Sequence, residues 1–167
     1  MECTDKVPIE QYLHTVYRPD VEYIDGEIQE RNVGEIPHSR ALVEVLDWFF
    51  QREREWRIQV LPNVRVQVAP ARFRVPDVCV SASSSTDRKI VTTAPLLVVE
   101  VLSPEDRIDR YQQRITDYRA MGVQGIWVLD PETKRGWDCS SGNWMEGTQF
   151  QLANSPVYLD LTAITAA

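Results

Sequence analysis

Apolar and polar positions recur along this chain with two different periods, and the switch between them marks out the elements. Val21-Glu22-Tyr23-Ile24-Asp25-Gly26-Glu27-Ile28-Gln29 predicts a β-hairpin. Asp25-Gly26 supplies the two central residues with positive φ that a type I′ turn requires. Ahead of it, residues 1–20 read as an irregular lead-in with a short helix around Ile9 to Thr15. Ala41, Leu42, Val45, Leu46, Phe49 and Phe50 then recur at helical spacing, predicting a helix with one apolar stripe and Glu44 on its solvated face. Ile58 to Val68 and Phe73 to Val80 alternate as strands, broken at Pro62-Asn63 and Ala69-Pro70-Ala71. The serine-rich stretch Ser81 to Thr93, with Asp87-Arg88-Lys89, reads as an exposed mobile loop.

The run Ala94 to Leu102 is the most apolar in the chain and predicts a strand buried on both faces. Beyond it, Ser103 suits an N-cap, Pro104 the first helical position, and Asp106 a capping box. Ile108, Tyr111, Ile115 and Tyr118 space out as the buried stripe of this helix, and Gly122 ends it. Gly125 to Asp130 is a further buried strand. Arg135 to Trp144 and Val157 to Leu161 read as an antiparallel hairpin and a closing edge segment. The expected order is ββ-α-βββ-α-ββ, a mixed sheet flanked by helices.

Composition narrows the function classes. With 167 residues, 43% of them hydrophobic, the chain suits one domain with a substantial core. A formal net charge of -7 argues against coating nucleic acid by bulk charge, though not against a local basic groove. Cys3, Cys79 and Cys139 are widely spaced and odd in number, which predicts neither a disulfide framework nor a zinc site. The polar opening and the lack of any run of roughly 18 apolar residues predict a cytoplasmic protein with no membrane partner.

One residue breaks the pattern. Glu100 sits inside the apolar run, where an unpaired carboxylate would cost several kcal/mol. It demands a cation, a partner or a raised pKa. Asp77, after Pro76 and before a second short strand, offers another acid. Together they suggest a divalent-metal site. A strand start or turn cap for Asp77, and a buried arginine salt bridge for Glu100, are the plainer alternatives.

The ordered set Pro76-Asp77, Glu100-Val101-Leu102-Ser103-Pro104, Tyr118-Arg119-Ala120-Met121-Gly122-Val123 and Ile126-Trp127-Val128-Leu129-Asp130-Pro131 resembles the Uma family of restriction-endonuclease-like proteins, within the PD-(D/E)XK nuclease superfamily. The likeness reaches back to Tyr23-Ile24-Asp25-Gly26-Glu27 and His38 and so covers roughly residues 20–132. It implies a restriction-endonuclease-like α/β fold in a single domain over 1–167, with a C-terminal hairpin and edge segment over 133–167. It also implies that Asp77 and Glu100, with the main-chain carbonyl of Val101, coordinate Mg²⁺ or Mn²⁺ for hydrolysis of nucleic acid, DNA above all. His38 becomes a fourth candidate.

The resemblance has one departure. The superfamily places a lysine two residues after the second acid, where this chain has Leu102. In the Uma branch that lysine falls in the following helix, where this chain has Arg114. Arginine keeps the positive charge but stays protonated, so it cannot accept a proton. Lys89 is a conceivable substitute. Arg107, Arg110 and Arg114 form a row that either faces phosphate or pairs locally, Asp106 with Arg110 and Asp117 with Arg114. Glu22 and Glu27 flank the hairpin turn and read as solvated, while the superfamily resemblance allows a third acid from this N-terminal part. Trp137 and Trp144 read as exposed and suggest a homodimer interface. The expectation is a metal-dependent endonuclease. The alternative is a catalytically degenerate binding or assembly module of the same fold.

Overall fold

A computed structural model describes residues 5–31, 34–103 and 108–164. Helix α1 (Ile9–His14) precedes a hairpin of β1 (Glu22–Ile24) and β2 (Glu27–Gln29). Its turn has φ of 52° at Asp25 and 100° at Gly26, the left-handed pair expected there. Next come α2 (Ile36–Phe50), α3 (Glu53–Trp56), β3 (Ile58–Pro62), β4 (Val66–Ala69), β5 (Arg72–Arg74), β6 (Val78–Ala82) and β7 (Leu97–Val101). Helix α4 (Ile108–Met121) ends at Gly122, whose φ of 99° suits a residue without a Cβ. Then follow β8 (Gly125–Asp130), β9 (Arg135–Asp138), β10 (Met145–Glu146), β11 (Gln149–Gln151) and β12 (Tyr158–Asp160).

The strands do not form one sheet. A six-stranded mixed sheet has the order β10-β9-β8-β7-β6-β3, with β7 and β8 its parallel pair. The hairpin belongs instead to a four-stranded antiparallel sheet, β2-β1-β5-β4, and β11-β12 pair by themselves. The C-terminal hairpin thus extends the large sheet, and the closing segment is separate from it. The linear order of strands does not say which partner each chooses.

Strand β7 shows why its sequence is nearly continuously apolar. Leu97, Val99 and Val101 join one cluster with Ala41, Val45 and Phe49 of α2 and with Trp127 and Leu129 of β8. Val98 faces the other way, into a cluster with Ile115 and Tyr118 of α4, Val66 and Val68 of β4, and Cys79. A strand covered on both faces has no place for the usual polar alternation. Tyr12, Val21, Tyr23 and Phe73 make a third cluster beneath the four-stranded sheet.

Several expectations need correction. Phe50 and Ile108 leave their predicted stripes and are exposed, each at the end of its helix where the core has run out. Val91 is buried and pairs with Val66, so the segment over 81–93 is anchored to β4 and is not wholly exposed. Trp137 and Trp144 are half-buried, pack edge to face, and Trp144 donates to Gln112 of α4. They face their own helix, which removes the basis for placing a dimer interface on them. The cap residues Pro104 and Asp106, Arg107, and Cys3 lie outside the described residues.

Candidate active site

Antiparallel register brings the two acids together. Val78 of β6 is paired with Val99 of β7, so Asp77 and Glu100 lie one step further along the same pair of strands. Both side chains take the face shared with Cys79 and Val98, toward α4. The amide of Asp77 faces Glu100 Oε2 at 3.5 Å. Asp77 is 2% exposed and Glu100 1%. Neither acid is a surface cap.

Each is held by cations and amides. Arg31 Nη2 donates to Asp77 Oδ1 at 2.6 Å, the Val101 amide donates to Oδ2 at 2.8 Å, and His38 Nε2 lies 3.5 Å from Oδ2. Burial pushes the Asp77 carboxyl up, but His38, Arg31 and the Val101 amide outweigh it and hold the group well below the usual carboxylate range. Glu100 behaves in the opposite way. Burial dominates and, with the negative charge of Asp77 nearby, pushes it up to about 7 despite Arg114, Arg31 and the Tyr118 hydroxyl. Arg114 Nη2 is 2.9 Å from Glu100 Oε1, and Tyr118 donates to the same oxygen at 2.7 Å. Two adjacent carboxyls with pKa values driven apart suit different proton roles.

Arg114 lies where the sequence places it, within reach of Glu100, but its partners differ from those expected. It bridges Glu100 and Glu22 Oε1, at 3.0 Å, and donates to the Val75 carbonyl. Asp117 is engaged elsewhere, by Arg74 Nε at 2.7 Å and Arg72 Nη1 at 2.5 Å. Arg110 donates to the Glu30 carbonyl. Lys89 is exposed and lines a different part of the surface, beside Val64 and Ile90, so it does not restore the missing lysine.

Two site residues escape sequence reasoning. Glu22, expected in solvent, is 3% exposed and bonded to Arg74 Nη1, Arg114 and the Val75 amide. Burial alone would raise its carboxyl, yet Arg114 and Arg74 hold it below the ordinary range. The signal was Arg72-Phe73-Arg74, two arginines in an otherwise apolar strand that require buried acids. Arg31 had no such signal, because only the fold brings it to Asp77. Glu27 is exposed, as expected.

Arg31, His38, Asp77, Val101, Ser103, Arg110, Tyr111 and Arg114 enclose a cavity of about 20 Å³, the size of one water. A larger cavity of about 420 Å³ adjoins it, with Arg31, His38 and Asp77 in common and Asn63 and Leu42 beyond. The donors suit a hard divalent cation, which needs only one or two carboxylates when water and phosphate complete its shell. Seating one would require Arg31 to leave Asp77 Oδ1. Among the described residues, no group of three or more His, Cys, Asp or Glu is arranged to hold a metal.

Comparison with solved structures places the fold. A crystal structure described as a putative nuclease belonging to DUF820, from Anabaena variabilis, matches with a TM-score of 0.72 at 18% identity, over 94% of this chain and 97% of that one. This similarity establishes a restriction-endonuclease-like fold. A search of curated proteins finds no match. No described helix is long and apolar enough to cross a membrane. The Uma2 family model, "Putative restriction endonuclease", matches residues 9–150, and the chain belongs to that family.

Proposed function

We propose that this chain is a divalent-metal-dependent endonuclease acting on DNA phosphodiesters in the cytoplasm, with Asp77, Glu100 and the Val101 carbonyl holding Mg²⁺ or Mn²⁺. The observation that carries the reading is the pairing of two buried carboxyls on one sheet face, one of which, Asp77, lines an arginine-rich cavity. A divalent ion there would polarise the scissile phosphate, lower the pKa of its bound water and neutralise the leaving oxygen. The protein's own groups do the rest. Arg114, protonated well above neutrality because Glu100 and Glu22 outweigh its burial, supplies fixed positive charge for a phosphate. Arg31 and Arg110 line the same opening and position the backbone of the substrate. His38, beside Asp77, is placed to orient a water or the carboxylate itself.

One observation favours the rival reading, a non-catalytic module of the same fold. Arg31, Arg72, Arg74 and Arg114 face Glu22, Asp77, Glu100 and Asp117, so each of these acids already has an arginine partner without a metal ion. Incubation of plasmid and single-stranded DNA with Mg²⁺ or Mn²⁺ separates the two. Cleavage by the wild type that falls at least ~100-fold in Asp77→Ala supports the enzyme. Unchanged cleavage in that variant refutes the site, and no cleavage by either protein supports the rival. Arg114→Lys is expected to raise a weak activity. An equal or lower rate would mean that a titratable lysine is not what the site lacks.

A further inference from the structure

Among the described residues, three of the large apolar side chains left exposed lie on the single helix α2: Ile36 at 76%, Val43 at 64% and Phe50 at 67%. They are seven residues apart, two helical turns, and so stand in one line. Ser39 and half-buried Leu46 fall between them at alternating spacings of three and four. Ile36-Ser39-Val43-Leu46-Phe50 is therefore a complete heptad seam along the whole helix. The buried face is a different one, made by Ala41, Val45 and Phe49 against the large sheet. Scattered exposed apolar residues need no explanation, but an ordered seam does.

The flanks of the seam say what fits it. On one side stand Arg40 and Asp47, both exposed, one turn above and below the middle of the helix. On the other side is Leu42, half-buried against the core cluster, as Leu46 is, and lining the cavity beside Asp77. We infer that the seam binds a second copy of this chain, with the two α2 helices antiparallel about a two-fold axis near their midpoint. In that arrangement Val43 packs on the partner's Leu46, Ser39 on the partner's Phe50, and Ile36 extends the contact at each end. Arg40 then stands beside the partner's Asp47, and the same pair forms again on the far side of the axis. An isologous interface requires this self-complementarity. Parallel pairing would set the charged flank against Leu42 and Phe49 and leave both charges unmatched. A helix of 15 residues spans only about 22 Å, so the contact belongs with small, reversible interfaces, with Kd on the order of 10 µM.

The inference does not rest on the nuclease reading, and its test needs no activity. Sedimentation equilibrium on the whole protein should show a concentration-dependent dimer. Val43→Asp, a substitution at an exposed position, should weaken it at least ~100-fold with an unchanged circular dichroism spectrum. Arg40→Glu and Asp47→Arg should each weaken it roughly tenfold, by turning two attractive pairs into two repulsive ones. The double variant R40E/D47R should regain wild-type affinity, because the reversed charges again match. A wild type that stays monomeric well above the expected Kd overturns the inference. So does association that survives Val43→Asp, or a double variant no better than its parents, which would indicate another face or another geometry.

Discussion

The two faces of the six-stranded sheet are built on opposite principles. Toward α2 the contacts are apolar throughout: Phe49, Val45 and Ala41 meet Val99, Val101, Trp127 and Leu129. Toward α4 the apolar cluster of Val98, Ile126 and Ile115 gives way, at the C-terminal end of β7, to a buried layer of acids and arginines. The apolar face draws its stability from area removed from water. The ionic layer stabilises little by itself, since desolvation of each charge consumes most of the attraction it gains. What that layer secures is placement. Asp77 and Glu100 are each fixed from several directions, by Arg31, His38 and the Val101 amide on one and by Arg114 and Tyr118 on the other. One face holds by packing, and the other fixes charged groups in place.

The comparison breaks most visibly when one residue is removed from each face. Phe49→Ala should destabilise by about 3–5 kcal/mol, through lost burial and a residual cavity. Arg74→Ala should cost a similar ~3–5 kcal/mol, by leaving Glu22 and Asp117 charged and buried with one partner fewer. The two losses should respond differently to acid. Glu22 is held below its ordinary pKa, so its stabilising contribution is present above the ordinary carboxylate range and is lost as pH falls through the depressed value. Without Arg74 that depression shrinks, and Glu22 takes up its proton at a higher pH. Urea unfolding at pH 7 and pH 5 should therefore show the Arg74→Ala deficit narrowing while the Phe49→Ala deficit stays level. Parallel deficits would mean the α4 layer acts by packing alone.

Glu100 sharpens the contrast within the ionic layer, because its sign is reversed. Its folded pKa of about 7 lies above the ordinary carboxylate value, so the neutral form favours folding. The associated stability is fully present below the unfolded value and is lost as pH rises through about 7. Glu100→Gln keeps the shape and deletes the titration. Its stability relative to wild type should therefore rise between pH 5 and pH 8. A difference that stays constant across that range would show that Glu100 is ionised throughout, held by Arg114 more firmly than burial opposes it.

Legibility in the sequence followed the same division. Elements stabilised by local signals were readable: the Asp25-Gly26 turn, the glycine stop at Gly122, and the double-sided burial of β7. Glu100 stood out because it violates its local pattern, and Asp77 was legible as a second acid at the start of a neighbouring strand. The residues that complete the site did not stand out, because their roles depend on distant partners. Glu22 is buried by arginines at positions 74 and 114, and Arg31 gains its role from Asp77, 46 residues further along the chain. Asp117 has the helical spacing to pair with Arg114, yet β5 reaches it first with two arginines. Local spacing predicts which pairs are possible, and tertiary packing decides which form. Sheet membership was lost for the same reason, since a hairpin carries no label naming its second partner.

The smallest expected effect tests how finely the ionic layer is tuned. Tyr118 is fully buried on α4, and only its hydroxyl distinguishes it from the apolar residues around it. Tyr118→Phe removes the bond to Glu100 Oε1 and leaves the ring's packing intact. A hydrogen bond to a neutral carboxyl is worth about 1 kcal/mol, and one to an ionised carboxylate about 1.5–3 kcal/mol. The cost of the substitution should accordingly grow from pH 5 to pH 8, and the midpoint of that growth should track the titration of Glu100. Removing a donor to the charged form should also push the Glu100 pKa further up. In a Glu100→Gln background the same substitution should lose its pH dependence altogether, since no charge remains for the hydroxyl to stabilise. A Tyr118→Phe cost that is flat with pH in both backgrounds would mean that the hydroxyl acts independently of the charge on Glu100, and Tyr118 would no longer count among the groups that set the ionisation of the site.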